Sequence, residues 1–160
     1  MMQRAPACKC ARCSHGCKVG SGFFGDESLK PTAQFLGISE EELKAKYLEE
    51  VEMFHTKRFR PKTQAKPFGQ CIFFDKIKGC TIHPVKPLEC KIASGCKAHG
   101  EEAQIWFRLN YFVNPDDPQS IREYANVLKC NPKTIKGGSL KELVPDNTRR
   151  SNILSYKELI

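Results

Sequence analysis

The apolar positions of this chain fall into short runs of different period, separated by glycine and proline. Leu43, Tyr47, Val51 and Phe54 recur at spacings of four, four and three. That is one stripe of an amphipathic helix over residues 40–54. Ser39 and Glu42 form a capping box at its start, where hydroxyl and carboxylate each take an amide that the first turn leaves without a partner. A shorter helix precedes it, with Pro31 in the first turn, Phe35 and Leu36 as its apolar pair and Gly37 as its stop. Nearer the C-terminus, Ile105, Trp106, Leu109, Phe112 and Val113 make one helical stripe, and Ile121, Tyr124, Ala125 and Leu128 make another. Asp117 as cap and Pro118 in the first turn open the second of these. Ser139 and Glu142 mark a last short turn, and residues 146–160 read as a loosely attached tail.

The middle of the chain has a different pattern. Cys71-Ile72-Phe73-Phe74 and Cys80-Thr81-Ile82 flank a turn at Asp75 to Gly79 and predict a β-hairpin, since both arms are β-branched or aromatic. Pro84 and Pro87 end it. Pro87 then starts a helical turn carrying Leu88 and Cys90, which Ser94-Gly95 breaks. Residues 1–25 mix cysteines with Gly16, Gly20, Gly22 and Gly25, a composition expected to form a ligand-bearing loop. Residues 55–70 read as a basic loop, with Lys57, Arg58, Arg60, Lys62 and Lys66, no acid, and Pro61 and Pro67. The predicted fold is mainly α with a small β-hairpin (α+β): a small metal-stapled single domain with ligand-bearing loops. It spans residues 1–145, with a cysteine core at 8–96 and a helical part at 100–145, and the tail follows at 146–160.

Composition changes this picture at one point. Of 160 residues 40% are apolar, enough for a modest core, so a further source of stability is expected. Nine residues are cysteine, and eight of these lie between Cys8 and Cys96. The first residues run into Cys8 without the apolar stretch of a secretory signal, and no run approaches the roughly 18 apolar residues of a membrane span. A cytoplasmic location is expected. In a reducing compartment, cysteines grouped this densely are metal ligands rather than disulfides. The formal charge of +8 counts every thiol as neutral. Metal ligands are thiolates, so eight of them around two zinc ions halve that excess and weaken any inference to nucleic acid.

The candidate ligands form two groups, Cys8, Cys10, Cys13 and Cys17, then Cys71, Cys80, Cys90 and Cys96. Only Cys10 and Cys13 have the two-residue interval of a zinc knuckle, a turn that presents two thiolates to one ion and lets neighbouring amides donate to the sulfurs. The second group needs the hairpin and the following helical turn to assemble it. His83, beside the Cys80 arm, and His15 are candidate imidazole ligands, while His55 and His99 read as surface residues. The isolated Cys130 reads as a buried small hydrophobe. Cysteine sites suit zinc and iron-sulfur clusters alike, so spacing leaves the cofactor open between zinc and a four-iron four-sulfur cluster.

In this order the residues resemble the YkgJ-like cysteine-cluster family, described as zinc- or iron-chelating domains. The resemblance rests on the Cys8 to Cys17 cluster, Phe35-Leu36-Gly37-Ile38-Ser39, Cys71-Ile72-Phe73-Phe74, Cys80-Thr81-Ile82-His83 and Lys86-Pro87-Leu88-Glu89-Cys90, and covers about residues 8–96. Lys86 stands where the family has arginine, His83 where tyrosine is usual, and the N-terminal cluster lacks an adjacent cysteine pair. The resemblance implies metal chelation, and an enzyme that methylates flagellin lysines looks like a larger relative.

Two further readings stand beside metal binding. One is an iron-sulfur redox or methylation-related enzyme component. The other is RNA or ribonucleoprotein binding, or a protein partner, through Lys57, Arg58, Arg60, Lys62 and Lys66. No glycine-rich phosphate loop, serine nucleophile motif or paired-carboxylate signature rises above background. Trp106, Phe107, Tyr111 and Phe112 are expected in the core rather than as a platform for bases.

Overall fold

A computed structural model describes residues 11–93 and 100–160, without the side chains of residues 11–13. Cys8, Cys10, Cys96 and His99 lie outside the described residues. The chain is mainly α with small two-stranded sheets, as expected. It divides into two compact units, the first containing described residues 11–51 and 58–93, the second residues 52–57 and 100–160. Among the described residues no helix is long and apolar enough to cross a membrane.

The first unit begins with α1 (Ala11–Val19), a 3₁₀ turn at Asp26–Ser28, α2 (Leu29–Leu36) and α3 (Glu40–Tyr47). Gly37 ends α2 in the left-handed region at φ 71°, and the amides of Gly37 and Ile38 return to the carbonyls of Gln34 and Ala33. A residue without Cβ makes that stop at little cost. Ser39 accepts the Glu42 amide at 3.0 Å, but the Glu42 carboxylate turns outward to Lys46 at 2.6 Å, so half of the capping box forms.

The helix expected over 40–54 stops at Tyr47. Leu48–Met53 is a strand, β1, paired with β2 (Thr56–Pro61), and β2 occupies the stretch expected to be a basic loop. The physical reason is charge complementarity across the pair: Glu49 accepts from Arg60 at 2.7 Å and also holds Lys66. Such pairing overrides a helical period that only Val51 and Phe54 carry past residue 47. A two-residue turn, Phe54-His55, joins the strands with φ 50° and 57°, the conformation a tight hairpin demands at both positions.

Downstream, β3 (Phe74–Asp75) and β4 (Gly79–Cys80) pair antiparallel, Phe74 opposite Cys80 and Asp75 opposite Gly79. The hairpin is real but shorter than predicted. Cys71 to Phe73 form a turn before it, and Asp75 closes its tip by accepting the amides of Ile77 and Lys78 at 2.7 Å. A 3₁₀ turn at His83–Val85 leads to α4 (Leu88–Ile92), which starts after Pro87 as expected. The core of this unit is Phe24, Ala33, Leu43, Leu48, Cys71, Phe73 and Ile82.

The second unit holds α5 (Gly100–Tyr111), α6 (Pro118–Cys130), α7 (Leu140–Leu143) and α8 (Asn147–Leu154). Asp117 caps α6 by accepting the Gln119 amide at 2.9 Å, and Ser139 with Glu142 forms a complete capping box on α7. On α5 the buried face includes Phe107, fully buried, whereas Trp106 is 43% exposed, which displaces Trp106 from the expected stripe. The expected tail contains α8, capped by Asp146, and Ile153 on it is fully buried. One large apolar anchor gives no visible period, so only the cap signal was there to be read. Cys130, expected in the core, is exposed, because it ends α6 beyond the turns whose side chains are buried.

Candidate metal centre

Four separate segments of the first unit deliver Cys17, Cys71, Cys80 and Cys90. Cys17 lies on α1, a helix where a loop was expected. Neighbouring chain supplies what its glycine-rich composition lacks: the amides of Gly20, Cys71 and Gly69 cap the carbonyls of Gly16, Cys17 and Val19 at 2.9, 2.8 and 3.3 Å. Cys71 is thus joined to Cys17 through the backbone. Phe74 donates its amide to the Cys71 carbonyl at 3.0 Å, and Phe73 in turn accepts both the amide and the hydroxyl of Thr81, at 2.8 and 2.9 Å. Those bonds bring Cys80 alongside.

Cys90 arrives on α4. Glu89 grips the Phe23 backbone at both ends, its amide donating to the Phe23 carbonyl at 3.3 Å and its carboxylate accepting the Phe23 amide at 2.9 Å. The chain at Gly22 is drawn so near that a Cβ there stands 2.7 Å from the Cys90 sulfur and 2.9 Å from its amide nitrogen. Only glycine fits this approach.

Burial pushes all four thiols up, Cys71 to about 12. Their mutual charge adds to this: Cys71 feels Cys17 and Cys80, Cys80 feels Cys17, and Cys90 feels the other three. Backbone amides oppose it, Phe73 at the Cys71 sulfur, Ile82 at Cys80 and Gly22 at Cys90. Two of these amides follow their cysteine by two residues, the same local arrangement at Cys71 and Cys80. The Lys86 ammonium lowers Cys17 and Cys80. Thiolates gathered here need a cation to offset burial and mutual repulsion, and amides already aimed at sulfur are the outer-shell support such ligands use. The donor set fits zinc or iron.

Among the described residues no three His, Cys, Asp or Glu side chains group tightly enough to hold an ion as they stand. The sulfurs are convergent without being closed. Neutral thiols have no reason to close on one another, because ligand geometry forms together with deprotonation and binding.

Of the other predicted ligands, Cys13 lies on α1 four residues before Cys17, and Cys8, Cys10 and Cys96 are outside the described residues. His15 is exposed. His83 is half-buried, and burial with the Lys86 charge lowers its pKa. The basic residues have partners of their own: Arg58 pairs with Asp26 at 2.6 Å, Arg60 and Lys66 with Glu49, and Lys62 donates to the carbonyls of Ala45 and Lys46 at 2.8 and 3.2 Å. Sequence reasoning missed Gly22 and Lys86. Nothing in the sequence separates Gly22 from the other glycines, while Lys86 carried a signal, a cation next to the proline that opens the Cys90 helix.

Fold and site together define a mainly α cysteine-cluster protein. Residues 9–110 match the family model CxxCxxCC, "Putative zinc- or iron-chelating domain", and the chain belongs to this family of zinc- or iron-chelating domains. No curated protein and no solved structure matches the chain.

Proposed function

We propose that Cys17, Cys71, Cys80 and Cys90 are ligands of the metal for which the family is described, with further sulfurs drawn from Cys8, Cys10, Cys13 and Cys96. The role proposed for the centre is structural, a staple for the first unit. The observation that carries this is the convergence of four sulfurs from four separate segments, each sulfur within electrostatic reach of the other three. Zinc at these sulfurs ties the segments together; an iron-sulfur cluster adds one-electron chemistry to the same ties. The staple role is favoured because β3 and β4 have two residues each and α4 five, too little to stand without cross-links. Thiolates of this kind require a reducing compartment, which supports a cytoplasmic location. Nucleic-acid binding is not favoured, since four of the five basic residues proposed for it are engaged within the first unit.

The test is zinc, iron and acid-labile sulfide per chain on anaerobically purified protein. Wild type is expected to hold metal in whole-number stoichiometry, Cys71→Ser and Cys90→Ser to lose it, and Cys130→Ser to keep it. Brown protein with sulfide matching iron assigns a cluster, and colourless protein with zinc assigns a mononuclear site. A metal-free wild type, or metal retained by both ligand variants, overturns the proposal.

A further inference from the structure

The second unit contains a buried cation with an unused donor. Arg122 on α6 is 6% exposed. Its Nη1 donates to the carbonyls of Ile153 and Glu158 at 3.3 and 2.7 Å, and its Nη2 to Gln119 Oε1 at 3.2 Å. All three acceptors are neutral. Its Nε is buried and has no hydrogen-bond partner among the described residues. A guanidinium is always charged and carries five donors, so a buried one held by neutral groups alone lacks its ordinary partner, a carboxylate or phosphate. Leaving such a donor unmatched costs free energy, and its persistence calls for an explanation.

Arg122 lines a cavity of about 270 Å³ whose walls include Leu128, Leu140 and Leu154 and whose polar residues include Asn126 and Lys129. No acid lines it. Tyr156, held at a positive φ of 59°, is 65% exposed and lays its ring over the guanidinium at 4.9 Å. One side is therefore apolar and one cationic, with an aromatic ring beside the cation. The size suits a short chain and is small for a nucleotide, just below the roughly 300–1,000 Å³ of ligand sites.

We propose that this cavity binds a small amphiphilic carboxylate, its head on the Arg122 guanidinium and Lys129, its apolar tail against Leu128, Leu140 and Leu154. The planar carboxylate matches the fork of a guanidinium, a role that none of the three acceptors of Arg122 fills. The site lies in the helical unit and does not depend on the metal.

The test uses the full chain with hexanoate as probe, hexan-1-ol as its uncharged counterpart and inorganic phosphate as an anion without a tail. Nitrogen-proton correlation spectra follow the Arg122 Nε–H directly. Hexanoate is expected to saturate, to shift that resonance and slow its exchange, and to bind about tenfold or more tightly than either comparison ligand, the worth of a charge-assisted contact. Lys129→Gln is expected to weaken binding severalfold, and Leu154→Trp, at a partly exposed wall position, to block it, both with unchanged melting. Arg122→Lys keeps the charge and is expected to lose the preference for hexanoate. Hexanol binding as well as hexanoate, phosphate binding as well as hexanoate, or an Arg122 Nε–H unmoved at millimolar hexanoate overturns the proposal.

Discussion

Helices α6, α7 and α8 of the second unit each begin with a side chain that accepts a backbone amide, whereas α4 of the first unit begins at Pro87 with no such bond. The second unit also buries Phe107, Ile121 and Ile153 completely. The first unit counts a cysteine, Cys71, among its core residues. Its regular pieces are short, and their bonds run from loop to loop: Cys71 to Cys17, Thr81 to Phe73, Glu89 to Phe23. The second unit is ordered by caps and periodic apolar faces, whereas the first, although Gly37 and Ser39 cap its α2 and α3, is joined around its cysteines by cross-connections. The difference implies that the two units depend on metal to very different degrees.

Metal removal is the largest expected effect. A structural site contributes on the order of 10 kcal/mol of apparent binding energy, comparable with the roughly 5–15 kcal/mol net stability of a whole domain. Chelation at neutral pH with thiols kept reduced is expected to abolish hydrogen-exchange protection at Phe74, Thr81 and Glu89 while Tyr124 and Ala125 keep theirs. Equal loss in both units, or none, breaks the comparison.

Next in size is Ile153→Ala on α8. Ile153 is fully buried, and removing such a side chain costs about 2–5 kcal/mol. The loss is expected in the denaturation midpoint of the second unit, with metal content unchanged. A cost below about 0.5 kcal/mol, the range of exposed positions, returns residues 146–160 to the status of a loose tail.

Two glycines of the first unit sharpen the same contrast. Gly22→Ala drives a Cβ to 2.7 Å from the Cys90 sulfur and is expected to cost about 1–3 kcal/mol and to weaken metal retention. A Cβ at Gly16, on α1, meets nothing among the described residues within 4 Å, so Gly16→Ala is expected to stabilise by about 0.5–1 kcal/mol. Denaturant melts of the metal-loaded variants separate the two signs. Equal effects sink the assignment of Gly22 as the seat of Cys90.

How much of this was legible in the sequence divides by local signal against distant partner, and not by unit. The caps at Ser39, Asp117 and Ser139, the stop at Gly37 and the α6 face were readable because each is a local signal with one physical cause. The hairpin at Phe74 to Cys80 was readable too, though its arms were drawn too long. What the sequence concealed depends on distant partners. The strand at Leu48–Met53 exists because β2 supplies Arg60 for Glu49, and α1 is a helix because the chain at Gly69 and Cys71 caps its end. Choosing Phe107 over Trp106 required knowing which way α5 faces. Cys17, Cys71, Cys80 and Cys90 were named as candidate ligands from density and order, while Gly22 could be singled out only by its distance to Cys90.

The smallest effect is a difference in pH slope. His55 is held above its ordinary 6.5 by its 2.6 Å hydrogen bond to Asp117 and then by that carboxylate's charge, with Glu52 and Glu123 adding to it. The folded state therefore binds this proton more tightly than the unfolded one. The stabilisation is complete below the ordinary histidine value and is lost as pH rises through the folded one. For Asp117 burial acts upward, but the bonds from His55 and Gln119 outweigh it and hold the carboxyl below 3.8, so its contribution is lost only as pH falls through that lowered value. The first unit has the opposite sign. Burial holds its thiols protonated, Cys71 up to about 12, and metal binding must release those protons, so affinity rises with pH. Between about pH 6 and 8, across the ordinary range of histidine titration, the second unit is expected to lose a little stability and the metal-bound first unit to gain. His55→Gln should flatten the first slope and leave the second untouched. Slopes of the same sign in both units would break the contrast, and a second-unit slope that survives His55→Gln would mean that the imidazole does not carry the pH dependence assigned to it.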